Sequence, residues 1–258
     1  MHAPAASSST SRTVPRSSSS VIDLRGKTAL VTGASRGIGY AVARAFTGVG
    51  MRTWMLARTP SQLHHSAHAL GKLAIAEVCD VSDVEAVRIT VARIAADCNG
   101  APDVVVNNAG LFPLAAIEDT SVEEFASALN TNLLAPFHLT RAFLPAMRTR
   151  GSGHNVLIGS VADRSVFPGN ASYAATKFGS RALHEVLRME TLGSGVRSSL
   201  VSPSATDTSI WDAVDPDNRE GFTKREAMLR TDAVADAVLW VVSRPPEVNI
   251  DELRLSRA

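Results

Sequence analysis

From Lys27 onward, short apolar runs alternate with longer stretches whose apolar residues recur at helical spacing. Lys27–Thr32 (KTALVT) is an apolar run halted by Gly33. Runs of that kind, bounded by turn residues, mark strands buried on both faces. Gly37–Val49 has a helical period and ends at Gly50, and Met51–Ala57 (MRTWMLA) alternates as a strand does. The pattern then predicts a helix over Pro60–Leu70 and a strand over Leu73–Val78. A helix over Ser82–Asp97 follows, capped by Ser82 with Asp83 and Glu85 in its first turn. Asp103–Val106 is another apolar strand, and Thr120–Arg150 is a long helical stretch, bent or broken near Pro136 and Pro145. Val156–Gly159 reads as a fifth strand, Asn170–Leu192 as a helix and Val196–Val201 as a sixth strand.

Repeated strand–helix–strand units imply a parallel sheet with helices on both faces. Right-handed crossovers wind such a sheet as a doubly wound, Rossmann-type α/β domain. No internal repeat and no Pro/Gly/Ser-rich linker interrupts Lys27–Ala258, so one domain over 23–258 is expected. Thr206–Leu229 is polar, holds Trp211 and several acids, and lacks strand signal; it reads as a lid over the sheet. Residues 1–22 are rich in Ser, Ala and Thr, carry Arg12 and Arg16, and precede the first acid, Asp23. That composition reads as a disordered polar tail, with a transit peptide as the alternative.

Composition narrows the partners. Hydrophobic residues make up 45% of the 258-residue chain and the net charge is +1. No basic field exists to hold nucleic acid or an anionic membrane, and no apolar run approaches the length of a membrane span. Two cysteines, Cys79 and Cys98, suit a reducing compartment rather than a disulfide framework, so a cytoplasmic location is expected.

The first strand runs into Thr32-Gly33-Ala34-Ser35-Arg36-Gly37-Ile38-Gly39. Glycines there let the backbone approach a pyrophosphate, and the following helix points its N-terminal amides at the phosphates. A strand before and a helix after are the context that gives the triplet meaning. The second strand ends at Ala57-Arg58, where an NAD-specific site usually has Asp or Glu for the ribose 2′-hydroxyl. Ala57 cannot serve, whereas Arg58 can hold a 2′-phosphate in a fork, with Arg36 as a second cation. NADP(H) is therefore expected over NAD(H).

Tyr173-Ala174-Ala175-Thr176-Lys177 sets a phenol and an ammonium four residues apart on one helix face. A neighbouring cation stabilises phenolate, so Lys177 is expected to lower the Tyr173 pKa and let it trade protons near neutral pH. Ser160 ends the fifth strand, at the sheet edge where ligands bind, and its hydroxyl can hydrogen-bond a substrate carbonyl. With these residues in order, the chain resembles the short-chain dehydrogenase/reductase family over nearly all of Asp23 to Leu255. The motifs that carry the resemblance are TGASRGIG, Asn107-Asn108-Ala109-Gly110, Ser160 and the Tyr173/Lys177 pair.

The resemblance implies more. Asp80-Val81 would contact adenine. Asn107, Ala109 and Gly110 would line the cofactor, as would Ser35, Ile38 and Pro203. Thr206 would lie against the nicotinamide, and Thr208 would contact its carboxamide or a phosphate. Lys177 would hold the nicotinamide ribose. Asn132, kinking its helix, would order a water beside Lys177, making Tyr173, Ser160, Asn132 and Lys177 the proton path. A carbonyl or alcohol substrate, a homodimer or homotetramer, and a brief seventh strand within Glu247–Leu255 are also implied.

One departure stands out: the family usually has Pro-Gly after the sixth strand, but Pro203 is followed by Ser204. A positive φ there would strain serine. His64, His65 and His68 lack a nearby Cys or acid and read as a solvated helix face, so no metal site is expected. Leu111, Phe112, Phe167, Ile210 and Trp211 adjoin the motif loops and read equally as an apolar pocket or as core. Arg164, just past Ser160, reads as a surface arginine, with reception of a substrate carboxylate as the alternative; neither it nor Asp163 is assigned a role. A non-catalytic NADP(H)-binding protein and an epimerase- or lyase-type enzyme remain alternatives to hydride transfer.

Overall fold

The computed structural model describes residues 21–258. The expected tail therefore lies outside the described residues except at Val21 and Ile22. Ile22 belongs to the fold: its N–H donates to the Ser243 carbonyl at 3.0 Å and its side chain packs on the core.

Seven strands form the sheet: β1 (Thr28–Thr32), β2 (Arg52–Ala57), β3 (Ala74–Val78), β4 (Val104–Asn107), β5 (Gly153–Ile158), β6 (Val196–Pro203) and β7 (Glu252–Leu255). Their order is β3-β2-β1-β4-β5-β6-β7, and every pairing is parallel. The helices are α1 (Gly37–Gly48), α2 (Pro60–Leu70), α3 (Val84–Asp97), α4 (Val122–Leu129), α5 (Ala135–Arg150), α6 (Ala171–Glu190) and α7 (Thr231–Val242). The chain winds outward from β1 to β3, then returns to β4 on the other side of β1. Between β1 and β4 the winding reverses, and the crevice beyond their carboxyl ends is where such sheets take ligands.

The alternation within β2 shows why its strands read as apolar runs. Trp54 and Leu56 enter a cluster with Val105, Leu139 and Phe143 beneath α5, while Met55 enters the opposite cluster with Val31, Phe46, Val106 and Val238 under α1 and α7. Both faces are covered, so both sets of side chains must be apolar.

Four local expectations need correction. Asp83, not Ser82, caps α3: its side chain accepts from the Glu85 and Ala86 amides, while the Ser82 hydroxyl donates to Asp80. The 120–150 stretch starts at Val122 behind a Ser121/Glu124 capping box; the expected interruption near Pro136 is a π-helical turn, Asn130–Leu134, whereas the one expected at Pro145 is absent. Pro136 then sits in the first turn of α5, where its missing N–H costs nothing, and Pro145 lies inside that helix. β5 begins at Gly153, before the expected Val156, because His154 and Asn155 are buried polar residues that bond sideways. His154 meets the Ser199 hydroxyl at 2.8 Å, and Asn155 accepts from the Asn107 amide at 2.9 Å. Finally, Ser204 carries no strain. Asn99 and Asp215 are the non-glycine residues with positive φ among those described, and the Ser204 N–H simply donates to Leu255 at 2.8 Å.

Candidate active site

The loop from β1 to α1 is shaped to receive an anion. Arg36 takes the N-cap position of α1 with extended backbone (φ −161°) and no side-chain cap, and the first turn holds no acid. The leading amides of α1 thus lack a side-chain partner, and Gly37 and Ile38 border a cavity. Gly37 supplies the left-handed turn (φ +60°) that lets the helix start there. Gly39 is required by space: a Cβ there would collide with the Gly33 carbonyl and come within 2.6 Å of Asn108 Nδ2. Replacing Gly39 by Ala is expected to cost about 1–3 kcal/mol and to distort the cradle. Thermal melting should show a lower Tm; an unchanged value would contradict the close-packed loop.

Thr32 and Asn108 lock this loop to the end of β4. The Thr32 hydroxyl accepts from the Asn108 and Ala109 amides at 2.9 and 3.0 Å, and Asn108 Nδ2 donates to the Thr32 carbonyl at 2.9 Å. Asn108 was not singled out from the sequence, although it stands inside the Asn-Asn-Ala-Gly motif. Asn107, its predicted neighbour, turns away into the sheet and donates to Asn155.

A cavity of about 740 Å³ lies along the carboxyl edge of the sheet. One end is formed by Arg36, Arg58, Asp80 and Val81. Gly33, Ser35, Ala109, Gly110, Pro203, Thr206 and Thr208 border its course, and Ser160, Tyr173 and Lys177 border the other end. Of the residues predicted to line the site, Gly39, Asn107 and Asn132 stand behind this surface. Arg58 is only loosely held, 4.0 Å from Asp80, with 59% of its side chain exposed. The Thr206–Leu229 segment is an excursion closed at its base by a bridge between those two residues. Arg225 pins it by ion pairs to Asp207 and Asp212 at 2.8 and 2.6 Å.

Ser160 follows β5, and its hydroxyl accepts from the Ala162 amide at 3.1 Å, capping a short 3₁₀ turn. Tyr173 and Lys177 project from successive turns of α6. Lys177 is buried, donates to the Ile158 carbonyl at 2.7 Å and stands 5.5 Å from the centre of the Tyr173 ring. Desolvation pushes the Tyr173 phenol up to about 12; the Ser160 hydrogen bond opposes the rise and the buried Asp163 adds to it. Desolvation brings the Lys177 ammonium down to about 8, against the attraction of Asp163. The expected lowering of Tyr173 by Lys177 is therefore not what the polypeptide alone produces: burial dominates, favouring the neutral form of both groups.

The family model for short chain dehydrogenases matches residues 27–219. The chain belongs to the short-chain dehydrogenase family of oxidoreductases. A ketoacyl reductase of Nostoc sp. is 34% identical over 233 residues, spanning 89% of this chain and 80% of that protein. Among solved structures, an alcohol dehydrogenase from Thermococcus sibiricus complexed with 5-hydroxy-NADP superposes with a TM-score of 0.80 at 32% identity, covering 90% of this chain and 96% of that one. Serine dehydrogenase from Escherichia coli gives a TM-score of 0.77 at 30% identity, covering 88% and 96%.

Two features of this short-chain dehydrogenase were poorly visible in sequence. Asn132 lies in the π-turn that breaks the long helix, and its side chain works as a brace. Its Oδ1 accepts from the Leu111 amide at 2.8 Å, and its Nδ2 donates to the Leu111 carbonyl at 2.9 Å and the Thr176 hydroxyl at 3.0 Å. It thus ties the loop after Gly110 to the helix of Tyr173. The Asn132 carbonyl accepts from Ser180, while Lys177 bonds Ile158, so no direct bond joins Asn132 to Lys177. The second feature is Asp163, fully buried behind Ser160. It accepts from the Ser160 amide at 3.3 Å, from the Ser202 hydroxyl and from Arg164 at 2.7 Å.

Proposed function

We propose that this protein is an NADP(H)-dependent oxidoreductase that moves a hydride between the cofactor and a carbonyl or secondary-alcohol carbon, with Tyr173 as general acid and base. The observation that carries the reading is the convergence of Ser160, Tyr173 and Lys177 on one end of a cavity whose course passes the open N-terminus of α1. A bound nicotinamide supplies the hydride in reduction and accepts it in oxidation. In reduction the carbonyl carbon gains the hydride, the π pair moves to oxygen, and that oxygen takes the Tyr173 proton. Ser160 shares the developing negative charge through its hydroxyl. Lys177, held by Ile158, carries a positive charge beside the phenol below about pH 8 and would hold a ribose hydroxyl. Pro203, Thr206 and Thr208 would flank the nicotinamide end, and Asp80-Val81 the adenine end.

Support for NADP(H) over NAD(H) comes from Ala57, Arg58 and Arg36 and from the NADP-type complexes of similar structures. A charge-assisted bond to a 2′-phosphate is worth roughly 1.5–3 kcal/mol. Arg58→Glu should therefore lower the NADPH-over-NADH ratio of kcat/KM at least about tenfold. Parallel initial rates with the two cofactors test this; an unchanged ratio would remove Arg58 from cofactor choice. The exposed apolar side chains Phe137, Phe178, Val186 and Met189 on α5 and α6 support the homodimer or homotetramer that the family resemblance implies. No helix among the described residues is long and apolar enough to cross a membrane.

A decisive experiment follows NADPH and NADH consumption against a panel of aldehydes and ketones. Turnover favouring NADPH supports the proposal. No turnover with NADPH demonstrably bound would favour a non-catalytic or non-redox role.

A further inference from the structure

The geometry points to an uncharged carbonyl compound bearing an aromatic or bulky apolar group as the substrate, excluding small hydroxy acids and other anions. This rests on the reading of Tyr173 as the reacting end of the cavity. From Tyr173 outward, aromatic rings follow one another edge to face. Phe112 meets Tyr173 at 4.7 Å between centroids, Trp211 meets Phe112 at 5.0 Å, and Phe222 meets Trp211 at 6.3 Å. All four rings border the cavity, and Leu111 and Phe167 add apolar surface beside them. Phe112 comes from the loop after Gly110, whereas Trp211 and Phe222 come from the 206–229 excursion. Two separate segments thus present aromatic faces to one space. A planar ring entering there gains both burial and edge-to-face contacts.

Charge is distributed the opposite way. The charged side chains bordering the cavity are Arg36, Arg58, Asp80 and Lys177. The first three stand at the far end, by the loops after β1, β2 and β3. Lys177 is already bonded to Ile158 beneath the phenol. None of the three cations of the excursion borders the cavity: Arg225 pairs with Asp207 and Asp212, Lys224 donates to the Asp217 carbonyl, and Arg219 lies over the face of Phe222. The indole N–H of Trp211 donates to the Thr206 carbonyl at 3.1 Å, leaving only the ring for a ligand. Polar groups that border this end, such as Ser160, Ser209 and Thr223, are neutral hydroxyls. A substrate carboxylate or phosphate would lie among aromatic rings with Lys177, already bonded to Ile158 beneath the phenol, as the cation bordering the cavity at that end, and so thinly compensated a charge is strongly unfavourable.

The test compares acetophenone with 4-acetylbenzoate, and with acetone as a small neutral reference, using NADPH on the full chain. L-Serine oxidation with NADP⁺ is run beside them. Calorimetric titration of each ligand into protein saturated with NADP⁺ reads binding independently of turnover. The neutral aryl ketone is expected to exceed its carboxylate congener at least about a hundredfold in kcat/KM and in affinity. Trp211→Ala should lower the aryl-over-alkyl ratio about tenfold, and Trp211→Phe should restore most of it. Comparable or better handling of 4-acetylbenzoate or serine overturns the inference, as does an aryl-over-alkyl ratio indifferent to Trp211→Ala in a folded variant. Binding of acetophenone in preference to 4-acetylbenzoate without any turnover would uphold the pocket and instead sink hydride transfer as the activity.

Discussion

Tyr173→Phe is expected to lower kcat for carbonyl reduction by about 10²–10⁴-fold, the usual worth of a positioned general acid. The variant removes one oxygen and leaves the ring, so its edge contact with Phe112 at 4.7 Å survives and the fold should be unaffected. NADPH titration should then give binding close to the wild type while single-turnover hydride transfer collapses. Loss of binding and rate together would mean that the hydroxyl organises the site instead of supplying the proton. A pH profile separates Tyr173 from its neighbour. The Tyr173 phenol is held up to about 12, so it stays protonated throughout the working range of reduction. Lys177, brought down to about 8, loses its charge first. Raising pH through about 8 removes the ammonium, and kcat/KM for NADPH, which reports the free enzyme, should fall over that window. Lys177→Arg keeps its charge at any working pH and should abolish that limb even if its overall rate is lower.

The division between what was legible in the sequence and what was not follows from the range of the interactions. Strands such as β1 and β4 announced themselves because both faces of a parallel sheet are covered, which leaves unbroken apolar runs. The phosphate loop was legible for a similar reason: the close approach of Gly39 to Gly33 is a local constraint that only glycine meets. The start of β5 was hidden because His154 and Asn155 are satisfied by Ser199 and Asn107, residues distant in sequence. Asn132 was placed through family resemblance, yet its bracing of Leu111 and Thr176 joins three segments that no spacing rule connects. The Tyr173 titration departs from the expectation because the Tyr–x–x–x–Lys spacing shows the cation but not the burial, and burial dominates. The aromatic succession from Tyr173 to Phe222 depends on an excursion whose path is set by the Arg225 ion pairs.

Asp163 is the residue least expected from sequence and the one whose support should matter most for stability. Its side chain is fully buried between Ser160, Ser202 and Arg164, and Arg164 continues the network to Glu252 at 2.6 Å on the edge strand β7. Gly159 makes room for it, since a Cβ there would lie 2.6 Å from the Asp163 carboxyl and 2.5 Å from the Ser202 hydroxyl. Removing one partner of a buried ion pair leaves a charge without compensation, which costs about 3–5 kcal/mol. Arg164→Met should thus lower Tm by about 6–20 °C in a chain of this length. Asp163→Asn discards the buried charge together with the need for its partner, so it should cost less. Added to Arg164→Met, it should recover part of the loss, giving a coupling energy measurable in a double-mutant cycle. Additive losses would show that the two side chains do not act as a pair. The same substitution carries a signature at the site, because Asp163 raises the pKa of both Tyr173 and Lys177. Its neutralisation should shift the alkaline limb of kcat/KM, set near pH 8 by Lys177, to lower pH. A limb that stays in place while stability changes would confine Asp163 to holding β5, β6 and β7 together.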